Sequence, residues 1–209
     1  MKNTILSKKL IPVAVIDDPA HALPLAEALL AAGLNVIEVT LRTKEALACI
    51  EIIKKSTPEM IIGAGTILDH TLIPELIDKG VSFGITPGLN PLVIESAKKH
   101  DLLIIPGVMT PSEIEEARNF ELDVLKFFPA EAAGGASMLN AFAGPYSHTG
   151  IKFIPTGGIN ANNMQSYLTI PCVAAIGGSW FVAPKLLQAA NYDKITSLTK
   201  QVIALANKV

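Results

Sequence analysis

The chain has 209 residues, 50% of them hydrophobic and 17% charged, with a formal net charge of −2 at pH 7. That length suits one domain with a substantial core, and a near-neutral balance with Arg42 and Arg118 as the only arginines leaves no electrostatic case for nucleic acid or an anionic membrane surface. Cys49 and Cys172 are far apart and outside any CxxC spacing, which excludes a disulfide framework and a zinc site and fits a reduced, cytoplasmic setting.

A short N-terminal extension comes first; the start MKNTILSKKLIPVAVI has a brief apolar run but not the h-region and small-residue cleavage site expected of a secretory leader, and an acidic pair follows at once. The apolar run IPVAVI (11–16) predicts a first strand, and Asp18-Pro19 opens a helix that ends at Gly33. The pattern then repeats. LNVIEVT (34–40) precedes a helix over 44–55, MIIGAGT (60–66) one over 72–79 stopped by Gly80, and SFGIT (82–86) one opened by Asn90-Pro91. LLIIP (102–106) is followed by Thr110-Pro111-Ser112-Glu113, a capping box with proline at the first helical position. DVLKFF (123–128), KFIPT (152–156) and VAAIG (173–177) supply three more strands, each followed by a helical pattern; the last includes Ile195, Leu198, Val202 and Leu205 at helical spacing.

About eight strand–helix units at intervals of roughly 20–25 residues predict a (β/α)₈ TIM barrel formed by the whole chain, 1–209, as a single domain with a short N-terminal helical extension. An open doubly wound sheet is the competing architecture, but no GxGxxG follows the first strand.

In such a barrel the chemistry sits at the C-terminal ends of the strands. The stretch DVLKFFPAE (123–131) places Lys126 on one strand face with Val124 and Phe128. Desolvation among apolar neighbours favours a neutral amine, and a neutral amine attacks carbonyls; the bland alternative is a lysine that snorkels to the sheet edge. Glu38 shares parity with Val36 and Thr40 and points inward, where an unpaired carboxylate is expensive. It is either a general acid/base or one half of a structural ion pair with Arg42 or Lys126. Thr66, Thr156 and Ser179 close the third, seventh and eighth strands. Thr156-Gly157-Gly158 and Gly177-Gly178-Ser179 stand where barrels hold phosphate on backbone N–H groups; turns alone also use glycine pairs. The four histidines lack HxH or HExxH spacing, so no metal is expected.

Taken together, IEVTLRT (37–43), GAGT (63–66), ITPG (85–88), LKFFPAE (125–131), PTGGI (155–159) and IGGSW (176–180) resemble the 2-keto-3-deoxy-6-phosphogluconate (KDPG) and 4-hydroxy-2-oxoglutarate (KHG) aldolase family over nearly the whole chain. The resemblance implies a homotrimeric class I aldolase, and no cofactor is expected. Its substrates would be a phosphorylated 2-keto-3-deoxy sugar acid and pyruvate. Lys126 would be the Schiff-base nucleophile and Glu38 the general acid/base. Arg42 and Thr66 would bind the pyruvyl carboxylate, while Pro87 and Phe128 line the pocket. Thr156 would help set stereochemistry, and Gly157, Gly158 and Ser179 hold the phosphate. Within the family the galactonate aldolase is the nearest alternative, and a threonine at 156 fits the gluconate enzyme better. Outside it stand a non-covalent phosphate-binding isomerase or epimerase using Glu38, a metal-dependent aldolase, and a non-catalytic phospho-sugar sensor.

Overall fold

The computed structural model describes residues 2–208. A short helix, α1 (Lys2–Leu6), leads into β1 (Leu10–Ala14), α2 (Ala22–Ala31), β2 (Val36–Thr40), α3 (Ala46–Ser56) and β3 (Ile61–Gly65). Then come α4 (Ile73–Asp78), β4 (Phe83–Ile85), α5 (Pro91–Lys99), β5 (Leu103–Ile105), β6 (Gly107–Val108) and α6 (Pro111–Asn119). The last third is β7 (Val124–Phe127), α7 (Gly135–Tyr146), β8 (Lys152–Pro155), α8 (Met164–Leu168), β9 (Ile176–Gly178), α9 (Pro184–Gln188) and α10 (Tyr192–Ala206).

Every residue of β1, β2 and β7 is buried, as expected of parallel strands covered on both faces. Outward residues pack against helices: Phe127 meets Phe142 of α7 edge-on at 5.9 Å between ring centroids. The helix starts follow local chemistry. Asn90 accepts from the Leu92 amide ahead of Pro91, and Thr110 with Glu113 forms the reciprocal capping box.

All pairing is parallel and falls into two curled sheets, ordered β5-β4-β3-β2-β1-β9 and β6-β7-β8. The expected single ring of eight strands is therefore met as a curled parallel α/β fold. One interruption lies in the expected fifth strand: β5 pairs with β4 and β6 pairs with β7. Pro106 stands between them, with no N–H to continue a ladder, although its carbonyl accepts from the Lys126 amide at 2.8 Å. At the other boundary, isolated parallel bridges join Phe153 to Val173 and Thr156 to Gly177. The expected strand at 173–177 is regular only over Ile176–Gly178. Two threonine hydroxyls fasten the top of β2 to the chain leaving β1, Thr40 donating to the Ala14 carbonyl at 3.1 Å and Thr43 to that of Ile16 at 2.7 Å.

Candidate active site

Every site residue singled out in the sequence lines one cavity of about 290 Å³ at the C-terminal ends of the strands. Glu38 reaches it from β2 and Lys126 from β7, with side chains only 2% and 8% exposed. Their charged atoms, Nζ and Oε1, stand 3.6 Å apart. That is close enough for strong attraction but beyond a hydrogen bond, so Glu38 Oε1 has no hydrogen-bond partner among the described residues. A buried carboxylate is costly unless a partner offsets it, and Lys126 is the charged partner here. Lys126 Nζ also lies 4.9 Å from the centroid of the Phe128 ring, a cation–π distance.

The glycines of GAGT make room for Glu38 and for the core beside it. A Cβ on Gly65, which pairs with Thr40 in the β2–β3 register, would land on the Glu38 carboxylate, and one on Gly63 would run into the Phe83 ring. Thr66 follows in the left-handed region, at φ 60°. For a β-branched residue that conformation costs about 1–3 kcal/mol, and it is spent where the chain turns out of β3 along the cavity wall. Arg42 is exposed at the mouth and has no ion pair among the described residues.

The far rim is main chain. Beyond β8, Gly157 and Gly158 adopt φ of 101° and 78°, which side chains resist. The turn is stitched to the Pro129 corner: Ala130 N–H donates to the Thr156 carbonyl at 2.8 Å and Glu131 N–H to that of Gly157 at 3.1 Å. Tyr167 of α8 donates its hydroxyl to the Glu131 carboxylate. Burial first, and that carboxylate second, push the phenol well above its ordinary range. On β9, a Cβ at Gly177 would strike the Thr156 hydroxyl and one at Gly178 the Trp180 ring.

The family model "KDPG and KHG aldolase" matches residues 1–198. The chain belongs to this family. It is 43% identical over 202 residues to the KHG/KDPG aldolase of Escherichia coli K12, covering 97% of this chain and 94% of that one. It is 41% identical over 194 residues to a 2-dehydro-3-deoxy-phosphogluconate aldolase of Dickeya dadantii, covering 93% and 90%. Among solved structures, the KDPG aldolase of Legionella pneumophila superposes with a TM-score of 0.93 at 39% identity, over 97% of this chain and 98% of that one. That structure holds pyruvate captured as a covalent carbinolamine intermediate.

For a KDPG and KHG aldolase, an aldehyde-lyase family, a lysine and a carboxylate facing each other at the mouth of a curled sheet are the parts that Schiff-base chemistry needs. Of the two readings left open for Glu38, an ion pair or an acid/base, the geometry supplies the pair with Lys126. The sequence reading missed Val13 and Ile159, which also line the cavity, since an apolar residue in an apolar run carries no signal. It also missed the reason for Gly65 and Gly177. Glycine inside a strand marks a close approach, and that cue was present. No cluster of three or more His, Cys, Asp or Glu among the described residues is placed to hold a metal.

Proposed function

We propose that this chain is a class I aldolase that cleaves KDPG to pyruvate and glyceraldehyde 3-phosphate through a Schiff base at Lys126, with additional activity on KHG. The observation that carries the reading is the buried Lys126–Glu38 pair at 3.6 Å, which shares its cavity with Arg42 and the left-handed Gly157–Gly158 turn. The names of the E. coli and Legionella relatives, and the pyruvate bound covalently in the latter, support it.

In this reading Lys126 attacks C2 of the keto acid, and loss of water from the carbinolamine gives an iminium. Glu38 removes the C4 hydroxyl proton, directly or through water. The C3–C4 bond then breaks with its electrons drawn into the iminium, which becomes an enamine as the aldehyde leaves. Glu38 returns a proton to C3, and water hydrolyses the new iminium to release pyruvate and the free amine. Arg42 and Thr66 hold the carboxylate, Pro87 and Phe128 pack beside the reacting carbons, and Gly157, Gly158 and Ser179 face the phosphate. Thr156 lines the same cavity, and the resemblance to the gluconate enzyme at this position supports the gluconate over the galactonate epimer. Measuring pyruvate release from each epimer tests this: the gluco substrate turns over faster, and a preference for the galacto substrate reverses the assignment.

The same reading treats the chain as one domain whose two sheets close into a (β/α)₈ barrel. Supporting closure, the bridge from Thr156 to Gly177 joins β8 to β9, only Pro106 separates β5 from β6, and the ion pair spans from one sheet to the other. Hydrophobic core residues form one connected cluster from Ile5 to Ala206. The two free, buried cysteines support a reduced, cytoplasmic setting; no helix among the described residues is long and apolar enough to cross a membrane. A homotrimer, as the family resemblance implies, would offer cover for exposed apolar residues such as Leu68 and Leu92. Light scattering at three times the chain mass supports that assembly, and a monomer mass rejects it.

A further inference from the structure

We propose that Asn163 is a positioning residue that aims the main-chain N–H groups of the Gly157–Gly158–Ile159 turn at the phosphoryl end of the substrate; this rests on reading that turn as an anion site. Across a trans peptide the carbonyl and the following N–H point in opposite directions, so whatever holds a carbonyl decides where the next N–H is aimed. The Gly157 carbonyl is held by the Glu131 N–H at 3.1 Å. The Gly158 carbonyl is held by two side-chain amides, Asn163 Nδ2 at 3.2 Å and Asn160 Nδ2 at 3.4 Å. With both carbonyls drawn to the outer side, the N–H groups of Gly158 and Ile159 face the cavity that Gly157, Gly158 and Ile159 line. Successive N–H groups turned to one side make a concavity suited to an anion.

Asn163 occupies the residue before α8, where asparagine ordinarily caps the first turn of a helix. Here its side chain makes no cap bond. It turns back instead, and Oδ1 accepts from the Asn160 N–H at 2.8 Å. That bond fixes which end of the amide is which, leaving Nδ2 for the Gly158 carbonyl. Asn160 is braced in turn, its Oδ1 accepting from the Asn162 N–H at 2.9 Å. Thus α8 forgoes its cap, and the amide that could supply it holds the glycine turn. An asparagine serving α8 alone would leave substrate affinity untouched.

The test uses two variants and two readouts. Asn163→Asp keeps the acceptor for Asn160 but sets an oxygen against the Gly158 carbonyl, and Asn163→Ala removes both bonds. The first readout is KM for KDPG with competition by inorganic phosphate; the second is deuterium exchange at C3 of pyruvate, which involves no phosphate. Asn163→Asp is expected to raise KM for KDPG and weaken phosphate competition on the order of 10-fold or more, the loss expected for bonds to a charged group. Asn163→Ala does so by less, and pyruvate exchange stays within about twofold of the parent in both, because the bonds lost serve only the charged phosphoryl end. Equal losses in both readouts for both variants mean a merely structural asparagine and overturn the proposal. Unchanged phosphate competition in Asn163→Asp, where phosphate competes in the parent, also overturns it while leaving the anion turn intact. If phosphate fails to compete in the parent protein itself, the reading of the turn is what falls, and the role of Asn163 falls with it.

Discussion

Glu38 and Lys126 reach the cavity from the interiors of β2 and β7, whereas the rim beyond β8 meets it with the bare main chain of Gly157 and Gly158. The wall is held by the parallel ladders on either side of each strand: Glu38 is paired with Val13 and Gly63, and Lys126 with Gly107 and Ile154. The rim is held by single bonds from elsewhere, the amides of Ala130 and Glu131 and the side chains of Asn160 and Asn163. Chemistry at the wall therefore belongs to the side chain at its own position. Chemistry at the rim belongs to a backbone conformation that other residues impose.

That contrast orders the expected effects. Lys126→Ala removes the nucleophile, so turnover falls on the order of 10⁴-fold or more and no borohydride adduct with pyruvate forms; near-normal turnover would sink the covalent mechanism. Glu38→Gln keeps the amine but not the base. Steady-state rates should drop by about 10²–10⁴-fold while the iminium remains trappable, and loss of trapping would move Glu38 into iminium formation itself. Gly65→Ala tests the fit behind the wall. Its new Cβ displaces the Glu38 carboxylate, and a misplacement of roughly 1 Å can cost about 10²-fold in rate; an unaltered rate in a folded variant would show that Gly65 does not set the carboxylate's position.

The smallest effect concerns Cys49 on α3, the helix after β2, and it checks that wall variants leave the core closed. Burial first, and then nearby acidic groups led by Glu45, raise its thiol from 9.0 to about 11. The folded thiol binds its proton more tightly than the unfolded one. Its contribution to stability is therefore full below pH 9.0 and is lost as pH climbs through about 11. Folded protein, Gly65→Ala included, should resist a thiol reagent at pH 8 and react once unfolded. Rapid labelling of folded Gly65→Ala would mean that the substitution opens the core.

The same contrast explains what was legible beforehand. The strand–helix units showed because buried parallel strands are short apolar runs set off by caps and glycines. Lys126 and Glu38 showed because a charged residue inside such a run needs a reason. The two glycine pairs looked alike in sequence and are not alike. Gly157 and Gly158 are required by positive φ, while Gly177 and Gly178 leave space for the Thr156 hydroxyl and the Trp180 ring. Only the neighbours distinguish the cases: Thr156 is far away in the chain, and Trp180, though two residues on, gives no sign in sequence of where its ring folds. The partner change at Pro106, the strained Thr66 and the turned-back Asn163 stayed hidden because each depends on a bond or φ angle that residue type alone does not specify.

The central claim is that one amine, on β7, bonds covalently to a keto acid. Incubating the protein with pyruvate, reducing with borohydride and mapping the peptides tests it most directly. The account predicts irreversible inactivation with the mass of reduced pyruvate on Lys126. An unmodified, fully active protein, or an adduct on another lysine, would contradict it and return the site to the non-covalent isomerase reading.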